Sequence, residues 1–120
     1  IPIDCVSGKV KAEDVKLELY GYGDQHHAQP RILSISQPTE LGTCYTTDEI
    51  KELADLMHNN GGYLHIDGSR ISNAAAYMNK SVKEITADCG ADALSFGGTK
   101  NGLLMGEAVV IFNNTKNGKK

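Results

Sequence analysis

No stretch of this sequence holds the roughly 20 consecutive apolar residues that a membrane-spanning helix needs, and no charged-then-apolar leader marks a secretory signal. Cysteine is scarce. Cys5, Cys44 and Cys89 are odd in number, widely spaced and never arranged as CxxC. That excludes a disulfide framework and reads as reduced thiols in a cytoplasmic protein. A basic block is missing too: the formal net charge is −3, and the lysines gather only in the short tail Lys116, Lys119, Lys120. Nucleic acid is therefore not the expected partner. His26 and His27 are adjacent, but no ligand set with metal spacing accompanies them, so no metal site is expected. GxGxxG is absent after the first predicted strand, which removes the dinucleotide-binding reading. No internal repeat is visible. The sequons beginning at Asn79 and Asn113 carry no meaning in a cytoplasmic protein.

What is present is an ordinary folding composition, 40% hydrophobic and 22% charged over 120 residues, enough for one domain or a large piece of one. A piece is expected. The chain opens at Ile1 rather than Met, and it closes without a capping element in the polar run 113–120.

Strand and helix patterns alternate. A short helix is expected over Ala12 to Leu19. Pro30 breaks the chain, and Arg31 to Ser36 reads as a buried strand. Thr46 and Glu49 form a capping box for a helix whose Ile50, Leu53, Ala54 and Met57 make one apolar stripe. Gly61 and Gly62 stop it. Tyr63 to Ile66 is a strand ending at Asp67-Gly68, and Arg70 to Met78 a helix. Lys80 to Ala87 reads as a further helical stretch. Asp92 to Phe96 is a strand, followed by the loop Gly97-Gly98-Thr99-Lys100-Asn101-Gly102 and a β-branched strand, Ala108 to Phe112. The expected fold is α/β, a mostly parallel sheet flanked by helices. The Lys100 loop is too short for a crossover helix, so antiparallel pairing of the last strand is allowed.

Ligands of open α/β sheets sit at the carboxyl ends of the strands. Asp67 and Lys100 both fall there. Taken singly, Lys100 is a solvated lysine on a turn and Asp67 is half of an Asp-Gly turn. Taken together they suit a pyridoxal ring, which needs a carboxylate beside its pyridinium nitrogen and a lysine on its aldehyde carbon. Glycines around Lys100 let the backbone pass close to a bulky ligand.

The string His65-Ile66-Asp67-Gly68-Ser69-Arg70, followed by Ser95-Phe96-Gly97-Gly98-Thr99-Lys100-Asn101-Gly102, resembles the threonine aldolases of the aspartate-aminotransferase fold. So do Ala28-Gln29-Pro30-Arg31, the segment from Gln37 to Thr43, and Leu104-Met105-Gly106-Glu107-Ala108. The likeness runs from about Gly8 to Asn113, and several motifs in the right order make it specific. It implies pyridoxal 5'-phosphate as cofactor and retro-aldol cleavage of threonine or allo-threonine to glycine and acetaldehyde. Lys100 would be the Schiff-base lysine, Asp67 the partner of the pyridine nitrogen, and Arg70 a neighbour of the ring oxygen. His26 would touch the substrate hydroxyl, and Thr39 would lie in a loop approaching the ring. Ser69 stands where many relatives have alanine.

The likeness further implies a homodimer or homotetramer with an amino-acid substrate. Residues 1–120 would be part of the large cofactor domain. The phosphate-gripping turn before it and the small domain after it would be absent, so the piece alone would be inactive. Two other readings stay open from the residues: β-elimination or transamination on the same scaffold, and a non-catalytic α/β module. His65 shares a strand face with Asp67 and reads as a packed or hydrogen-bonded histidine. His58, near a helix end, needs no further role.

Overall fold

Three strands run parallel because each of the first two is followed by a helix that carries the chain back across the sheet. A computed structural model of the chain describes residues 1–112. The tail expectations for 113–120 (its polar run, lysine cluster and second sequon) lie outside the described residues. Helix α1 (Ala12–Glu18) precedes β1 (Ile32–Ser36), α2 (Thr47–Asn59), β2 (Tyr63–Gly68), α3 (Ile71–Met78), β3 (Ala93–Phe96) and β4 (Ala108–Ile111). The sheet order is β1-β2-β3-β4. β1 pairs with β2 and β2 with β3 in parallel, and β4 closes the edge antiparallel to β3. Residues 97–107 between β3 and β4 hold only one turn of 3-10 helix, Gly98–Asn101, which forces that reversal.

The helices share one core with one face of the sheet. Leu33, Ile35, Leu64, Ile66 and Leu94 point into a cluster with Val15, Ile50, Leu53, Ala54, Met57, Ile71 and Ala74. The expected α2 stripe is the buried one, and its capping box forms: Glu49 N–H donates to Thr46 Oγ1, and Thr46 N–H to Glu49 Oε2. The other sheet face is open. It carries exposed Ile32, Tyr63, Val109 and Ile111 around a polar centre of Ser34, His65, Asp67 and Ser95.

Buried polar groups tie the layers. Gln37 clasps Tyr45 from both sides, its Oε1 accepting from Tyr45 N and its Nε2 donating to Tyr45 O, each 2.9 Å. His58 has a role beyond its place near a helix end: its Nε2 lies 2.8 Å from Asp92 Oδ2, which also accepts the Leu64 N–H. That carboxylate joins α2, β2 and the start of β3.

Lys80 to Ala87 departs from the expected helix. Ser81 and Glu84 exchange capping bonds, but the chain continues as turns into a short 3-10 segment, Ala87–Cys89. Val82, Ile85 and Thr86 are β-branched, and the Thr86 hydroxyl takes the Val82 carbonyl for itself.

Ile66 is fully buried in the sheet centre. Ile66→Ala should therefore lower unfolding free energy by about 2–5 kcal/mol, read by urea denaturation of the full-length protein. A loss under about 1 kcal/mol would contradict this placement.

Candidate active site

Asp67 is the fifth residue of β2, where its side chain emerges on the open face of the sheet at the carboxyl end of the parallel strands. In register it stands between Ser36 of β1 and Ser95 of β3. The chain turns at once, and Ser69 folds back: its N–H and its hydroxyl both donate to Asp67 Oδ1, at 3.0 and 2.7 Å. Among the described residues no hydrogen bond reaches Asp67 Oδ2. The Ser69 hydroxyl is the main reason the Asp67 carboxyl lies below the usual carboxylate range. Desolvation opposes it, and the Ser69 N–H, His65 and Lys100 reinforce it. Asp67 is thus an anchored, half-buried carboxylate with one oxygen open.

Lys100 comes from the next strand over. β3 ends at Phe96, and the chain enters the 3-10 turn Gly98–Asn101. Lys100 N–H donates to Gly97 O at 3.1 Å. Its side chain is exposed and makes no hydrogen bond among the described residues, while its charge acts on Asp67. The structure therefore brings these two residues to one end of the sheet.

The glycines of the loop serve a tighter purpose than ligand clearance. A Cβ on Gly97 would stand 2.8 Å from both Cα and O of Ser69, and one on Gly98 would stand 2.5 Å from Gly106 O. The loop carrying Lys100 is pressed, backbone on backbone, against the turn carrying Asp67 and Ser69.

Asn101 was not singled out as a site residue in the sequence. Its Nδ2 donates to Gly97 O (2.6 Å), Ser69 O (3.1 Å) and Gly68 O (3.3 Å), and its Oδ1 accepts from Ser72 N (2.9 Å). The only sequence signal was an asparagine beside a lysine in a glycine loop. His65 was read as packed or hydrogen-bonded, and it is the latter: Nδ1 meets Ser34 Oγ at 2.7 Å and Nε2 meets Ser95 Oγ at 2.8 Å, a polar bridge across three strands.

Arg70 is exposed and faces a cleft of about 560 Å³ shared with Pro38, Thr39, Glu40, Cys44, Asn73 and Tyr77. Thr39 is itself buried, its hydroxyl 2.6 Å from that of Thr43. A shallower cleft of about 300 Å³ is lined by Ser69, Ser95, Gly97 and Glu107. Asp67 and Lys100 line neither. His26 lies on the exposed loop that leads into β1, with its backbone N–H donating to Asp24 Oδ1. Among the described residues no contact joins it to Asp67, Lys100 or Arg70. Its neighbour His27 is committed elsewhere, edge-on to Tyr20 with ring centres 5.2 Å apart. Among the described residues no group of three or more His, Cys, Asp or Glu could hold a metal ion, and no helix is long and apolar enough to cross a membrane.

The sheet is mixed and mostly parallel, with a carboxylate and a lysine at its carboxyl end, and the chain belongs to the beta-eliminating lyase family, whose model matches residues 1–116. Within it, similar proteins include threonine aldolases. A low specificity L-threonine aldolase of Pseudomonas aeruginosa is 44% identical over 90 residues, 75% of this chain and 26% of the relative. One from a Pseudomonas species is 40% identical over 106 residues, 88% of this chain and 31% of the relative. The solved threonine aldolase of Leishmania major superposes with a TM-score of 0.79 at 30% identity, covering 92% of this chain and 32% of that one. The chain thus spans about a quarter to a third of the length of these relatives.

Ser69→Ala should move the Asp67 titration upward, because the largest influence holding it down is gone. The sign follows from linkage. A carboxylate with a depressed folded-state value contributes stability above its unfolded value, about 3.9, and loses it as pH falls through the folded value. The variant should therefore be less stable than the parent above about pH 3.9 and lose less stability on acidification, the difference closing as pH falls through the parent's folded value. Carboxyl-carbon NMR titration of Asp67 with acid denaturation checks both. An unmoved titration would contradict the Ser69 assignment.

Proposed function

We propose that the chain is the cofactor-holding part of a pyridoxal 5'-phosphate-dependent lyase that cleaves threonine or allo-threonine to glycine and acetaldehyde. The observation that carries this is the shared position of Asp67 and Lys100 at the carboxyl end of the parallel strands, close enough that the lysine's charge bears on the carboxylate. The threonine aldolase names of the relatives support the substrate.

The residues present fit the cofactor. Asp67 is ionised and anchored through Oδ1, with Oδ2 uncommitted among the described residues, as a partner for a protonated ring nitrogen requires. Lys100 is an exposed amine with no competing hydrogen bond among the described residues. When bound, pyridoxal phosphate supplies a ring that accepts the electron pair released when the bond beside the amino group breaks.

Lys100 would hold the cofactor through its amine and yield that position to the substrate's amino group. Asp67 would keep a proton on the ring nitrogen. Arg70 would place its guanidinium beside the ring oxygen from the mouth of its cleft. His26, exposed and with no ring hydrogen bond among the described residues, is the proposed acceptor of the substrate hydroxyl proton, directly or through a water. Loss of that proton drives Cα–Cβ cleavage: acetaldehyde leaves, and protonation at Cα completes glycine.

The activity belongs to the whole protein. The phosphate grip and the substrate-carboxylate arginine are assigned to parts beyond this chain, which we place in the large cofactor domain. A cytoplasmic homodimer or homotetramer completes the reading. The family's description favours one alternative, β-elimination, which would release 2-oxobutanoate and ammonia from threonine instead of acetaldehyde and glycine.

In the full-length enzyme, borohydride reduction should fix the cofactor's mass on the peptide containing Lys100. Lys100→Ala should lose that adduct, and threonine cleavage should fall at least about 100-fold, or roughly 2.7 kcal/mol of barrier. Retention of adduct and turnover would end this reading.

A further inference from the structure

The geometry points to Asn101 as the positioning residue that fixes where Lys100 stands relative to Asp67. The inference rests on the proposed roles of those two residues. One half-buried amide binds both sides of the site at once. On the Asp67 side it holds the carbonyls of Gly68 and Ser69 and, through Oδ1, the Ser72 N–H in the first turn of α3, a donor that has no partner inside its own helix. On the Lys100 side it holds Gly97 O, the same carbonyl that accepts the Lys100 N–H.

The chemistry demands an amide in this orientation. Two amide hydrogens serve three carbonyls, one of them shared, while the oxygen faces an N–H. Reversal would aim an oxygen at three carbonyl oxygens. Asn101→Asp keeps the shape and forces that clash of charges, so it should disturb the site more than Asn101→Ala. With no staple, Gly97 still abuts Ser69, but the turn bearing Lys100 is free to rotate against it. The amine then meets the carboxylate's field at a different distance.

The test uses the full-length enzyme with and without cofactor. Without it, amide hydrogen exchange in segments 69–74 and 97–103 should speed up at least about tenfold in both variants. With it, the pH midpoint of the bound cofactor's visible absorbance should shift, and borohydride trapping at Lys100 should weaken, in the order Asp worse than Ala. Ser72→Pro removes one staple bond from the α3 side, in the first turn, where the N–H has no partner inside the helix. It should shift the same midpoint in the same direction by less, and it carries the test should the Asn101 variants not fold. A parental pH midpoint and parental trapping in these variants, whatever their melting temperature, would overturn the proposal. A parent enzyme with no adduct on Lys100 would instead overturn the site reading on which it rests.

Discussion

The approach of the Gly97 backbone to the Ser69 backbone governs the geometry at this end of the sheet. Any side chain at Gly97 would collide with main-chain atoms that cannot step aside. The loop after β3 and the turn after β2 therefore meet at one separation. Around that contact the Ser69 donors fix Asp67, and the 3-10 turn sets the direction of Lys100. Two residues 33 positions apart in sequence come to the same carboxyl end of the sheet because β2 and β3 pair in parallel.

Electrostatics follow from that placement. A carboxylate emerging from a sheet would be pushed toward its neutral form by desolvation. Two hydrogen bonds from Ser69 to one oxygen, reinforced by His65 and Lys100, more than offset this and leave Asp67 acidic. The open face around it is mixed, with exposed Ile32, Tyr63, Val109 and Ile111 flanking the Ser34–His65–Ser95 bridge. The other face packs against the helices as the hydrophobic core. The packed core and the proposed site thus occupy opposite sides of the same four strands.

Much of this was legible from residues. The α2 capping box and stripe carry a spacing that only a helix satisfies, and both stand as read. Asp67 and Lys100 were singled out because strand ends in an α/β pattern are where ligands bind, and the structure brings both to one end of the sheet. The stretch 80–87 misled because its capping signal is real while its β-branched residues stop the helix from propagating. Asn101 was missed because its partners are backbone carbonyls, which no side-chain pattern records. The His58–Asp92 pair was missed for a similar reason: it spans 34 residues of sequence and closes only when α2 docks on the sheet.

The central claim is that Asp67 remains an ionised carboxylate facing the cofactor that Lys100 carries. Nitrogen-15 NMR of the full-length enzyme loaded with ring-labelled cofactor reads this directly. A ring nitrogen protonated at neutral pH in the parent, and deprotonated once Asp67 is changed to alanine, is the predicted result. A deprotonated nitrogen in the parent would contradict the account.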